Sequence, residues 1–193
     1  WDVQGRDELI ADLARGPVLL VCWHGRSLMA PFHWPVVAGP LSSLYAASPI
    51  GRVSGAMQRR LGLQPMEMGR GVSNRAASRM ILKRVKDGVS IGLTGDGPLG
   101  PAGEIQNAPL DWARVTGLPV YGYAFSVTRG RQLNTWDRML MPKMWGRGRI
   151  VFARWEHTVG RKADAEEIEG ARAAMRTFLN GIAQKADAAN PTP

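Results

Sequence analysis

Three short apolar runs constrain this chain most: Pro17–Trp23 (PVLLVCW), Val89–Leu93 and Pro119–Val127. Each follows a turn signal and is too short for an ordinary helix, so each reads as a strand, the first two as buried strands. Segments of helical character lie between and around them. Asp7–Arg15 reads as a short helix closed by Gly16, and Val53–Leu61 as another stopped by Gly62. Ser73 is a good N-cap for a helix over Asn74–Lys86, in which Ala77, Ile81 and Val85 form one face and Arg75, Arg79 and Lys83 another. Leu110–Thr116, ended by Gly117, and a last helix over about 163–186 complete the set. Further strands are expected at Leu44–Ala47, Leu63–Met68, Thr135–Met141 and Arg149–Trp155. Strands alternating with helices indicate an α/β fold. A central, mostly parallel sheet flanked by helices is expected, with an antiparallel part near the C-terminus. Residues 1–193 make one domain, with its motif-bearing core over 17–155 and a tail over 187–193 that is expected to be disordered.

Composition narrows the class. The chain has 193 residues, 45% of them hydrophobic and 21% charged, which suits a globular domain and excludes general disorder. One cysteine excludes a disulfide framework, and one Cys with three His argues against a structural zinc site. The net charge of +9 is unevenly spread. Residues 13–155 carry nineteen Lys and Arg against six Asp and Glu, while both ends are acidic. Such a field attracts nucleic acid, an anionic membrane surface or phosphorylated partners. The longest apolar stretch, Leu28–Leu41, contains three prolines and a histidine, so it reads as an interfacial or buried segment and not a span. The chain begins at Trp1, and a membrane anchor upstream is an expectation.

His24 is the sharpest single residue. It stands where a buried strand meets Gly25, and functional groups in α/β sheets gather at such strand ends. A histidine there can serve as a general base near neutral pH, or merely cap a loop. Cys22 precedes it by two residues; an inert buried thiol is favoured over a Cys–His nucleophile pair. His33, among Phe32, Trp34 and Pro35, reads as structural, and His157 is given no role. Gly69–Arg75 (GRGVSNR) combines glycines, two arginines and a helix start, a combination suited to phosphate or carboxylate, although neither a Walker loop nor a nucleophile elbow is present. Thr94–Pro101 (TGDGPLGP) places Asp96 in a constrained loop directly after a strand. Thr135–Arg138 reads as part of a strand with an Asp137–Arg138 pair.

Taken together and in order, these segments resemble the bacterial DUF374 family, a branch of the lysophospholipid acyltransferase-like superfamily. The matching residues are Trp23-His24-Gly25-Arg26 with Leu28-Met29, Arg70-Gly71 with Ser73 and Arg75, and Asp96-Gly97-Pro98 with Gly100-Pro101. Thr116-Gly117 with Pro119-Val120, and Trp136-Asp137-Arg138 with Met141-Pro142-Lys143, complete five collinear blocks. The resemblance implies a glycerolipid-acyltransferase-like fold. It also implies transfer of a fatty acyl group from acyl-CoA or acyl carrier protein to a hydroxyl of a phosphorylated lipid or lipid A-type precursor. His24 takes the base role. Arg26, Arg70, Ser73, Arg75, Gly97 and Pro98 match substrate-binding blocks. No metal or bound cofactor is implied. The implied location is the cytoplasmic face of the bacterial inner membrane, peripheral or through an upstream anchor.

The chain departs from the superfamily's His-x4-Asp/Glu pattern, because Met29 stands five residues after His24 and cannot orient an imidazole. Another acid, with Asp96 the first choice and Asp137 the second, or a backbone carbonyl must take that part. Leu99 and Gln106-Asn107-Ala108 also depart from the family's usual basic and Lys-Pro-Gly-like residues. The competing reading is a non-catalytic basic protein binding anionic lipid or RNA. Nucleic acid is disfavoured, because no recognised RNA-binding motif is present and few aromatics interleave with the basic stripe. A carboxylate within hydrogen-bond reach of the His24 ring, beside an apolar groove, separates the two.

Overall fold

A computed structural model describes residues 1–34, 39–68 and 74–188, with backbone alone for Ala46, Asn74 and Arg75. Strand β2 (Leu19–Cys22) is the axis of the fold, buried along its whole length. It lies between β5 (Ser90–Thr94) and β6 (Val120–Val127), parallel to both. Strands β3 (Leu41–Ala46) and β4 (Met66–Met68) extend the parallel array beyond β5. On the other side β9 (Gly148–Trp155) runs antiparallel to β6 over eight residue pairs, and β1 (Asp2–Gln4) pairs parallel to β9. The sheet order is therefore β1-β9-β6-β2-β5-β3-β4. A separate hairpin, β7 (Gly130–Gln132) with β8 (Leu140–Pro142), occupies the connection between β6 and β9.

The chain is thus an α/β domain with a seven-stranded, mostly parallel mixed sheet flanked by helices. Alternation along the strands builds a core on each face. Leu19, Val21, Val120 and Ala124 point into one core. There they meet Ile81 of α4 (Asn74–Lys86), Leu110 and Ala113 of α5 (Asn107–Thr116), and α6 (Ala165–Asp187). Leu20, Cys22, Tyr121, Tyr123 and Phe125 face the other core, with Leu9 of α1 (Arg6–Leu13) and Trp34 after α2 (Ala30–His33). The remaining helix, α3 (Pro49–Arg60), joins β3 to β4 and starts at Ser48, whose hydroxyl accepts from the Gly51 amide.

Helix α6 shows how sequence dictates packing. Asp164 and Glu167 form a capping box at its start, which satisfies two orphan amides. Ala171, Met175, Leu179, Ile182 and Ala186 then recur at spacings of three and four and are all buried. Opposite them stands Gly122 of β6, where a Cβ would lie 2.5 Å from Ile182 and 2.6 Å from Phe178. Only a glycine lets the helix approach so closely. α6 also corrects the expected tail over 187–193: Asp187 is its last residue and is held in place, while residues 189–193 lie outside the described residues.

Three other expectations change. Thr135–Met141 is not one strand, because residues 134–137 turn and only Leu140–Pro142 is extended. The strand expected from Leu63 begins at Met66, and α3 begins at Pro49 ahead of Val53. The N-cap role given to Ser73 lies outside the described residues. Among the described residues no helix is long and apolar enough to cross a membrane.

His33 is a buried structural histidine, with Nδ1 2.7 Å from the Tyr123 hydroxyl. Burial lowers its pKa from 6.5 to about 4. Between these values the unfolded chain binds a proton that the native state refuses. Stability therefore falls as pH drops from about 6.5 towards 4, by roughly 3 kcal/mol when complete. Urea unfolding of the protein and of His33→Gln across this range checks it: the variant should lose less stability on acidification, and equal losses would refute the assignment.

Candidate functional site

The site forms where β2 and β5 end side by side. Trp23 continues β2 in an extended conformation, and His24–Arg26 then make a single 3-10 turn. Beside it the loop after β5 begins at Gly95, whose amide donates to the Cys22 carbonyl. That contact brings Asp96 next to His24. Asp96 is 1% exposed, and its Oδ1 accepts the His24 backbone N–H at 2.8 Å. Its Oδ2 accepts the Gly103 amide at 3.4 Å. Burial pushes its carboxyl pKa up, and the amides offset only part of this. Asp96 therefore fixes the backbone of the His24 turn and the shape of its own loop.

The ring of His24 belongs to a different acid. Its Nδ1 lies 2.7 Å from Oδ2 of Asp137, with the histidine side chain 28% exposed and the aspartate 3%. This corrects the expected order of candidates: Asp137, the second choice, meets the imidazole, and Asp96 meets the main chain. Asp137 also accepts the Thr135 hydroxyl at 2.6 Å on its other oxygen. Burial alone would raise the Asp137 pKa, but the hydrogen bonds from Thr135 and His24 outweigh it and hold the carboxyl below its usual range. The aspartate consequently stays ionised, and its charge selects the Nδ1–H tautomer of His24. The Nε2 lone pair is then left to accept a proton.

Backbone shape makes this contact possible. A Cβ on Gly25 would sit 2.2 Å from the Asp137 carbonyl oxygen, so any side chain there drives the two segments apart. Trp136 braces the same junction. Its ring centroid is 5.1 Å from that of His24, and a Cβ on Gly100 would come within 2.6 Å of its indole. The loop after β5 and the turn before β8 thus close on His24 from two sides. The Asp137–Arg138 pair expected from sequence is not what forms, since the carboxylate is committed to His24 and Thr135.

The remaining candidates divide. Arg26 is not directed at a ligand: its guanidinium donates to the Phe125 carbonyl at 2.7 Å and to both oxygens of Asp187 at 2.9 and 2.7 Å. It ties the His24 turn to β6 and to the end of α6. Gly97 takes a positive φ of 65° in the loop after β5, and Pro98 beside it is exposed. Arg70 and Ser73 lie outside the described residues. Arg75 is in the first turn of α4, which returns the chain from the carboxyl end of β4 to the amino end of β5. Cys22 is buried, and burial followed by the charge of Asp96 pushes its thiol up to about 12, the opposite of an activated nucleophile. Among the described residues no cluster of three or more His, Cys, Asp or Glu could hold a metal ion.

Sequence reasoning missed Thr135 as a partner of the acid and Trp136 as a brace. The available signal was their closeness to Asp137: Trp136 opens the last family-like block and Thr135 stands directly before it. No protein-family model matches the chain, and no curated protein sequence matches it. The chemistry accordingly rests on the geometry.

Gly25→Ala is expected to break the Nδ1–Asp137 contact without touching either side chain. Proton NMR of the imidazole reads this directly. The hydrogen-bonded Nδ1–H should appear far downfield in the parent protein and vanish in Gly25→Ala and in Asp137→Ala; its survival in Gly25→Ala would overturn the steric account.

Proposed function

We propose that this chain is an acyltransferase with a glycerolipid-acyltransferase-like fold, using His24 as general base and Asp137 as its orienting acid. The observation that carries the reading is the 2.7 Å contact between the His24 ring and a buried, ionised carboxylate at the end of the central strand. Of the two features set against the binding-protein alternative, this contact supplies the carboxylate; a histidine isolated in the core would have favoured that alternative. A histidine with one nitrogen on a carboxylate and a partly exposed ring is built to move protons.

In this reading the Nε2 atom takes the proton of an acceptor hydroxyl as its oxygen attacks the thioester carbonyl. The C–O bond forms, the tetrahedral intermediate collapses and the C–S bond breaks. The departing thiolate receives the proton from Nε2, so acid and base return to their starting states. Asp137 stabilises the imidazolium that exists between these steps, and Thr135 keeps the carboxylate aimed. The resemblance of the five sequence blocks supports a phosphorylated lipid or lipid A-type precursor as acceptor, with acyl-CoA or acyl carrier protein as donor. The excess of basic residues over 13–155 supports work at an anionic membrane surface, on the cytoplasmic face of a bacterial inner membrane. Arg70 and Arg75 are the basic residues proposed for the acceptor phosphate.

His24→Ala should lower acyl transfer from a long-chain thioester by roughly 10²–10⁴-fold, and Asp137→Asn by a comparable factor because the amide favours the wrong tautomer. Product mass spectrometry measures the loss, with circular dichroism confirming that the fold is kept. Undiminished turnover in His24→Ala would sink the mechanism. Lipid mass spectrometry of a deletion strain would name the acceptor by the acyl chain that disappears.

A further inference from the structure

We propose that the carboxyl end of the sheet is a docking face for an anionic lipid bilayer, with Met144 and Trp145 as its inserted tip. The inference deepens the functional reading above and rests on it, in that the His24 site opens on this same end.

Topology supplies the first part. Connections leaving the carboxyl ends of parallel strands share one end of an α/β sheet. The five most exposed large apolar side chains among the described residues all sit in such connections. Ile50 and Val53, 84% and 71% exposed, are in the first turns of α3, directly after β3. Leu99, 89% exposed, is in the loop after β5. Met144 and Trp145, 74% and 87% exposed, are in the segment that leaves β6 and returns at β9. Apolar exposure concentrated on one end marks an interaction surface. Trp145 also has a φ of 65°, a region that bulky residues seldom enter, and its side chain is exposed there.

Charge decides the kind of partner. The Lys143 amide donates to the Arg129 carbonyl at 2.8 Å, and the Thr128 amide to the Arg147 carbonyl at 2.9 Å. These bonds clip the two arms of the excursion together beneath the tip. Arg129, Arg131, Lys143 and Arg147 are all exposed there, and none forms an ion pair with a described residue. Residues 128–149 hold six basic side chains and a single acid, Asp137, which is turned inward to His24. An exposed indole and thioether carried on the same excursion as these exposed cations match a bilayer of anionic lipids. The aromatic ring suits the headgroup level and the cations suit lipid phosphates. RNA would use the cations but leave Met144, Ile50 and Val53 without a partner.

Sedimentation of the whole chain with vesicles of phosphatidylglycerol and phosphatidylcholine, against phosphatidylcholine alone, tests this. The protein should bind the anionic vesicles, and Met144→Ser with Trp145→Ser should weaken binding by about tenfold or more. Turnover on a short-chain, water-soluble acceptor should be unaffected in that variant. Equal vesicle binding by variant and parent overturns the tip. Failure of the parent to bind anionic vesicles while it binds single-stranded RNA overturns the bilayer in favour of nucleic acid. His24→Ala separates the two proposals: it should keep vesicle binding while losing turnover, and kept turnover would fail the catalytic reading and leave the docking face standing.

Discussion

The antiparallel pairing of β6 with β9 is the constraint on which the site depends. β6 aligns with β2 from Leu19 to Val21 and then runs on past the end of β2 through Ala124–Val127. β9 begins level with that overrun, with Gly148 opposite Val127. The chain between them must therefore leave and return beyond the carboxyl end of the central strand. Residues 128–147 fill this excursion, and its hairpin folds back far enough for the Asp137 carbonyl to reach Gly25. One pairing thus delivers the acid to His24 and leaves Trp145 projecting from the same end. Arg26 locks the arrangement by joining the His24 turn to Phe125 and to Asp187 of α6.

Two buried aspartates near one histidine are kept distinct by their hydrogen-bond donors. Asp96 accepts main-chain amides, and burial still raises its pKa. Asp137 accepts a hydroxyl and an imidazole N–H, and its pKa falls below the usual range. The carboxylate easier to keep charged is the one that touches the ring. This division leaves the backbone of His24 held by one acid and its ring by the other.

Much of the fold was legible in the residues, because local signals there agree with the tertiary outcome. Leu19–Cys22 within PVLLVCW form a buried strand, Gly117 ends α5 with a positive φ of 63°, and Ile81 faces the core from α4. The misreadings occur where long-range contacts override local pattern. Thr135–Met141 has strand-forming residues, yet its first half turns so that Asp137 can cross to His24. Arg26 looks like a ligand-binding arginine two residues after His24, but Asp187, 161 positions away, claims it. Nothing local to Arg26 announces that partner.

Residue order alone determined that the chain is an α/β domain with a basic middle, and that His24 stands at the end of a buried strand beside a glycine. Those features follow from hydrophobic runs, turn residues and charge, all of which act over a few neighbouring positions. Tertiary structure alone decided which acid serves the imidazole. Asp96 and Asp137 lie 72 and 113 residues from His24, and at such separations spacing carries no information. The register of β6 against β2 and β9, and the absence of a Cβ at Gly25, bring Asp137 within 2.7 Å of the ring and leave Asp96 to the backbone.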